Sequence, residues 1–382
     1  MDRRASADLP LHTGSAPPWL FDRMVDLSDA IAEAIIEECG RDELLRRLSD
    51  PYWFQALGCV LGFDWHSSGV TTTTMGALKE ALSPYRHGVV VVGGKGARSR
   101  KTPDEIDGSA LDLSSGARDE LKRTSRMSAA VDNGCVQDGY TLYHHTMAIS
   151  ESGAWCVVQQ GMDDSSARRY HWRSDTVDGF VEEPQAAICA QERRPSPLDL
   201  TANASAETRT VSVDLVQDDP IHLKRELQGQ RSLSDFGGGA SDDTTAGTAG
   251  LDRSALNRDP ELTMPGHHEL QRADLSERAL EQLQHAYEYQ PADYEELVEL
   301  DGIGPGSLRA LALIAELVYD AESSREDPAK YAYAHGGKDG TPHPVERERY
   351  DRSIEHMRSM LRGAKIDGET EQSSLQRLAE LE

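Results

Sequence analysis

The sequence predicts an α+β protein, with a mixed N-terminal α/β domain that contains a small sheet and a helical C-terminal part. Three observations support this class: a run of four valines at residues 89–92, two strand-like segments within residues 140–161, and helical hydrophobic spacing after residue 263. With 382 residues the chain exceeds the usual size of one domain, so two domains and connecting segments are expected.

The N-terminal elements follow from local patterns. Residues 28–48 predict a helix, because apolar side chains recur at helical spacing, and Gly40 marks a break in it. The valine run is typical of a fully buried strand. Residues 140–149 and 154–161, joined by a Glu-Ser-Gly turn, predict a β-hairpin.

The predicted organisation has four parts. Residues 1–227 form the mixed core domain, 228–262 an acidic linker rich in Gly, Ser and Asp, 263–365 the helical domain, and 366–382 an acidic tail. The linker composition cannot bury enough apolar surface to offset its ordering entropy, which predicts disorder.

The composition indicates the compartment. Asp and Glu number 66 against 40 Lys and Arg, a net charge of −26, and only eight of the basic residues are lysines. This balance indicates a halophilic protein, because hydrated carboxylates keep proteins dissolved at high salt. An ordinary acidic protein is the alternative. The sequence offers no apolar stretch for a membrane span and no signal core, so we expect a cytoplasmic protein without a membrane partner. Five separate cysteines lack zinc-site spacing, and no cofactor or metal is predicted.

One motif in the helical part indicates binding to a nucleic-acid backbone. Residues 300–311 place Gly302, Gly304 and Gly306 between two predicted helices, a pattern that resembles a helix-hairpin-helix. Backbone N–H groups at the start of the second helix would suit a phosphate oxygen. A plain helical hairpin with a glycine turn is the alternative.

A basic segment stands out in this acidic chain. Residues 95–101 carry four positive side chains and no acidic one: Lys95, Arg98, Arg100 and Lys101. We expect them to contact DNA, although a solvated charged face is the alternative. The same prediction extends to three further arginines and a tryptophan that could stack on unpaired bases, namely Arg126, Arg168, Arg169 and Trp172.

Lysine scarcity singles out the lysines that remain. Arginine serves where only charge is needed, whereas a lysine amine can lose its proton and form a Schiff base. Lys95 and Lys338 both follow a glycine, which makes them candidate nucleophiles, and linker lysines without a chemical role are the alternative.

Carboxylates and imidazoles for acid–base chemistry are present but lack a diagnostic spacing. The candidates are Asp64, His66, Asp138 and His144. On a strand His144 and His145 would point to opposite faces, which disfavours a shared metal ion.

Several motifs in one order resemble a known family. They are Asp8-Leu-Pro-Leu-His-Thr-Gly14, Phe54-Gln-Ala-Leu-Gly-Cys59, Phe63-Asp-Trp-His-Ser-Ser-Gly69, Arg126-Met-Ser128, Tyr143-His-His145, Gln159-Gln-Gly-Met162, Ala167-Arg-Arg-Tyr-His-Trp172 and Ala334-His-Gly-Gly-Lys-Asp-Gly340. Together they resemble the domain-of-unknown-function family seven-six-three of archaea and some bacteria, over nearly all of the chain except the linker and the tail.

The resemblance implies a DNA-repair lyase that cleaves at abasic sites. A lysine would attack the sugar aldehyde, with Lys95 as first choice and Lys79 and Lys338 next, and β-elimination would follow. The base would be one of the four acid–base candidates above. Two other functions stay open: a non-catalytic nucleic-acid-binding protein, and a metal-dependent nuclease or phosphatase that uses Asp64, His66 and His144.

Overall fold

The predicted α+β class is confirmed. The computed structural model describes residues 16, 18–62, 69–163, 166–190, 193–218, 277–329, 331–332, 347–364 and 368–379. The chain divides into two compact units, the first with residues 1–202 and 325–382 and the second with residues 203–324. The chain therefore leaves the first unit and returns to it, which differs in order from the four consecutive parts that composition suggested.

Among the described residues, five helices precede the sheet of the first unit: α1 Pro18–Cys39, α2 Arg41–Leu48, α3 Pro51–Val60, α4 Gly69–Ala81 and α5 Pro84–His87. The predicted helix over residues 28–48 is confirmed and begins earlier than its apolar pattern suggested. Gly40, with φ of 88°, makes the predicted break between α1 and α2. Asp50 begins α3, because its carboxylate accepts hydrogen bonds from the N–H groups of Tyr52 and Trp53.

The described strands are β1 Val89–Lys95, β2 Val136–Gln137, β3 Thr141–Ser150, β4 Trp155–Met162, β5 Ala167–Arg173, β6 Ala187–Ala190, β7 Leu198–Asp199 and β8 Tyr331–Ala332. Six of them form one sheet in the order β1-β3-β4-β5-β6-β8. Neighbours are antiparallel except β6 and β8, which are parallel. The predicted hairpin is confirmed as β3 and β4, and β2 pairs separately with β7.

The sheet has two covered faces. Val89, Ala148 and Val158 pack in the same apolar core as side chains of α1 to α4. Two later helices of this unit are α12 Arg347–Gly363 and α13 Gly368–Ala379, and Met357 and Met360 of α12 join that core. The α13 range falls within the predicted acidic tail.

The opposite face is covered by α7 Ser115–Gly134, which follows a 3₁₀ helix at Gly96–Lys101 and α6 Thr102–Asp107. Ser114 begins α7 by accepting a hydrogen bond from the N–H of Ala117. Polar side chains of α7 bond to strand residues of this face, as described below.

The second unit is helical in its described residues. It contains a 3₁₀ turn at Asn203–Ser205, α8 Ala206–Gln217, α9 Glu277–Tyr289, α10 Tyr294–Glu299 and α11 Pro305–Tyr319. These helices confirm the predicted helical character, whereas the predicted linker 228–262 lies outside the described residues. Within the described parts of both units, no helix is long and apolar enough to cross a membrane.

Candidate functional site

A row of polar side chains crosses the sheet on the face that packs against α1 to α4. The register pairs Lys95 with His144, His144 with Gln160, and Gln160 with Arg169. Directly opposed residues on neighbouring strands point to the same face, so these four side chains share one side. The row begins at the exposed end of β1 and runs into the buried middle of the sheet.

Lys95 is the exposed end of this row. It ends β1, and the 3₁₀ helix that follows presents Arg98, Arg100 and Lys101, all exposed. Gly93 allows the end of β1 to lie close to the backbone of β3. Its φ is 88°, and a Cβ there would lie 2.3 Å from the carbonyl oxygen of His145. The backbone thus places four positive side chains together at one edge of the sheet.

His144, opposite Lys95, is a buried neutral imidazole. Its Nε2 lies 3.4 Å from Oγ1 of Thr146, and that hydroxyl donates its hydrogen to the carbonyl of Val158. The Nε2 therefore carries the ring hydrogen, and the buried Nδ1 has no hydrogen-bond partner among the described residues. Burial, with lesser contributions from His145 and the charge of Lys95, lowers the pKa of His144 to about 3.

Tyr143 adds a hydroxyl to the surroundings of Lys95 and His144. The ring centroid lies 5.6 Å from Nζ of Lys95, and its hydroxyl oxygen accepts a hydrogen bond of 2.5 Å from the side-chain amide of Gln160. Burial raises the pKa of Tyr143, so the phenol stays protonated at neutral pH. We call Lys95, Tyr143, His144 and Gln160 the lysine edge.

The other face of the sheet carries a closed polar network. His145 contacts the hydroxyl of Ser125 at 2.8 Å and the amide oxygen of Gln159 at 2.9 Å. The carboxylate of Asp132 accepts hydrogen bonds from Gln159 and from the indole of Trp172. His144 and His145 thus lie on opposite faces, as predicted, and Trp172, proposed to stack on bases, is buried with its N–H engaged.

Arg168 lies at the centre of a buried ion-pair cluster. Its guanidinium bonds to Asp138 at 2.9 Å and to Asp327 at 2.7 Å, and the hydroxyl of Tyr170 donates to Asp138 at 2.7 Å. We call Arg168, Asp138, Tyr170 and Asp327 the arginine network. The guanidinium proposed for DNA and the carboxylate proposed as a base are here bonded to each other inside the protein.

Arg169 is buried beneath the helices. Its Nε donates to Nε2 of His171 at 2.8 Å, another nitrogen donates to Gln55 at 3.1 Å, and its guanidinium lies 4.5 Å from the ring centroid of Phe54. Because His171 donates from Nδ1 to the carbonyl of Leu48, its Nε2 is the acceptor that Arg169 needs. Arg169 therefore ties β5 to α3, and His171 ties the same strand to α2.

Two further sequence candidates have other surroundings. Lys79 pairs with Glu105 at 2.6 Å and donates to the carbonyl of Gly93 at 2.7 Å, so it supports the end of β1. Arg126 is exposed on α7. Asp64, His66 and Lys338 lie outside the described residues.

Sequence reasoning missed Tyr143 and Gln160 as site residues. Both lie within the family motifs, but no local signal marks them, because their proximity to Lys95 depends on strand register. Among the described residues no group of three or more His, Cys, Asp and Glu side chains is arranged to hold a metal ion.

The glycine motif of the second unit forms a turn between α10 and α11. Gly302 has φ of 96°, and a Cβ there would lie 3.3 Å from the side chain of Gln282 on α9. Gly304 precedes α11 without a capping side chain, and Gly306 lies in its first turn with open space around its Cα. The turn geometry fits the predicted glycines, and its role in DNA binding stays a prediction.

Comparison with known proteins adds a family. The profile of the family described as Protein of unknown function (DUF763) matches residues 5–345. The chain belongs to this family. No curated protein and no solved structure matches the chain. Membership agrees with the resemblance of the motifs, and the family's description assigns no activity.

Proposed function

We propose that this protein cleaves DNA at abasic sites through a Schiff base on Lys95. One observation carries the proposal: an exposed lysine amine lies beside three other positive side chains and opposite a neutral imidazole whose Nδ1 has no partner among the described residues, in a chain of net charge −26. A phosphodiester backbone supplies the negative charge that such an edge attracts.

The surroundings of the described lysines favour Lys95 as nucleophile. Lys79 is bound by Glu105, and Lys122 is bound by Asp107 and Asp119. Within the described residues Lys95 and Lys101 have no carboxylate partner, and of these two only Lys95 lies opposite an imidazole. Lys338 remains a candidate.

The reaction needs a nucleophile and a base. The amine of Lys95 attacks C1′ of the ring-opened sugar, and loss of water from the adduct gives an iminium ion. The iminium ion acidifies the C2′ proton, and a base removes it while the C3′–O bond breaks and the 3′ phosphate leaves. His144 is the base we assign to this step, since its buried Nδ1 has no hydrogen-bond partner among the described residues.

Glycines of the second unit would support binding. The N–H groups of Gly306 and Ser307 in the first turn of α11 have no capping side chain, which leaves them for a phosphate oxygen. We assign this turn a role in holding the DNA backbone without reading sequence.

Borohydride trapping on an oligonucleotide with one abasic site tests the proposal. We expect a covalent adduct with the parent protein, its loss in Lys95→Ala, and its retention in Lys101→Ala, which removes a neighbouring charge of the same segment. An adduct that persists in Lys95→Ala refutes Lys95 as nucleophile, and variants of the other seven lysines would then locate the amine. Tight binding without any adduct or strand cleavage would establish the non-catalytic DNA-binding function instead.

A further inference from the structure

We propose that Tyr143 is a second catalytic residue of the lysine edge, whose hydroxyl protonates the C1′ oxygen when water leaves the lysine adduct. The proposal deepens the function assigned above and rests on Lys95 as the nucleophile. It concerns the step between attack on the aldehyde and formation of the iminium ion.

A β-bulge places Tyr143 at this site. The pairing of β3 with β4 passes from Leu142 opposite Gly161 to His144 opposite Gln160, so Tyr143 is an extra residue in β3. In an unbroken strand Tyr143 would point away from the face that His144 occupies. The bulge re-aims the side chain, and Tyr143 reaches both Gln160 and Lys95 on the side of His144.

The hydrogen bond at Tyr143 leaves its proton available. Gln160 donates its amide N–H to the phenol oxygen, so the phenol hydrogen is not used in that bond. No described residue accepts this hydrogen. Gln160 is only 1% exposed, which fixes the orientation of the phenol.

Tyr143 lies close to the amine of Lys95, so both side chains could contact the same bound substrate. The ring centroid of Tyr143 lies 5.6 Å from Nζ of Lys95, so the amine and the phenol border the same space. The amine and the phenol would then contact the two ends of the same carbon–oxygen bond.

Each proton and electron pair of the step has a donor and an acceptor. Attack forms the N–C1′ bond, and the aldehyde oxygen takes the proton that the nitrogen releases. The nitrogen lone pair then forms the C=N bond while the C1′–O bond breaks, and the phenol proton completes the departing water. The phenolate keeps the Gln160 hydrogen bond and regains its proton from solvent.

The test is the rate of adduct formation in Tyr143→Phe under single-turnover conditions, with borohydride trapping of timed samples. We expect adduct formation about a hundredfold slower than in the parent protein, in the range typical of a lost general acid. Affinity for the same oligonucleotide, measured by fluorescence anisotropy, should change less than twofold. Tyr85→Phe, at a tyrosine 89% exposed on α5, is the matched control and should keep the parent rate.

A structural role predicts a different result. If Tyr143 only packs its ring against Lys95, Tyr143→Phe keeps the parent rate and the inference is overturned while Lys95 stands. If the parent itself gives no adduct, the proposed function fails and the inference with it.

Gln160→Met provides a second measurement if Tyr143→Phe does not fold. As a positioning residue, Gln160 should slow adduct formation at least tenfold when replaced, and restoring a donor with Gln160→Asn should recover part of the rate. A parent rate in Gln160→Met contradicts the proposal.

Discussion

The lysine edge and the arginine network are two parts of the same sheet that use positive charge in opposite ways. Lys95 is exposed and has no carboxylate partner among the described residues, whereas Arg168 is 0% exposed and bonds to Asp138 and Asp327. The buried guanidinium holds the segment around Asp327 against β5. This segment shortly precedes β8, which pairs with β6 in the same sheet. The charges that surround a cation, more than the cation itself, decide whether it is available to a ligand.

Polar groups divide between the two regions in the same way. The carboxylate of Asp138 accepts bonds from Arg168 and Tyr170, while Nδ1 of His144 is buried without a partner. An unpartnered buried acceptor costs free energy of folding. This cost falls on the lysine edge, whereas the arginine network has partners for its buried charges.

The largest expected effect is at the arginine network. Arg168→Met leaves two buried carboxylates without their cation, and we expect a loss of about 3–5 kcal/mol in the free energy of unfolding. Urea unfolding followed by circular dichroism measures it.

Arg98→Met is the matched control for this prediction, because it removes an exposed arginine of the basic segment. It should change the free energy of unfolding by less than about 0.5 kcal/mol. Equal losses in the two variants would contradict the contrast between buried and exposed arginines.

An intermediate effect is expected from His144 and depends on pH. The folded protein resists protonation of His144, with a pKa of about 3, whereas the unfolded chain protonates near 6.5. As pH falls below 6.5 the unfolded state binds more protons, so stability is lost between pH 6.5 and 3. Between pH 7 and 5 this amounts to about 2 kcal/mol, and His144→Gln should lose about that much less than the parent.

Urea unfolding at pH 7 and at pH 5, for parent and variant, gives this difference directly. The comparison of each protein with itself at pH 7 removes any change in packing caused by the substitution. An identical acid loss in both proteins would mean that His144 is accessible to protons in the folded state.

The smallest expected effect concerns DNA affinity at the basic segment, residues 95–101. Arg98→Ala combined with Arg100→Ala should weaken binding about tenfold and lower the slope of log affinity against log salt by about one unit per lost phosphate contact. Anisotropy titrations over a series of KCl concentrations measure both quantities.

Arg86→Ala is the control, since Arg86 is half-exposed but paired with Asp29 and Glu33. We expect its affinity and salt slope to equal those of the parent. A loss that matches the double variant would show that positive charge anywhere on the unit attracts DNA, without a defined binding edge.

Several features could be predicted from residues alone, because they depend on local physical chemistry. The buried valine strand, the β3–β4 hairpin, the break at Gly40 and the glycine turn at Gly302 all follow from periodicity and turn preference. The basic segment and the opposite faces of His144 and His145 follow from charge and strand alternation. These properties involve residues close together in sequence.

Tertiary structure decided which of the candidate side chains come together. Strand register joins Lys95 to His144, and a bulge adds Tyr143; the same pairing buries Arg168, Arg169 and Trp172. Asp327 reaches Arg168 from 159 positions away along the chain. No local pattern encodes such contacts, because register and burial are set by the packing of the whole sheet against its helices.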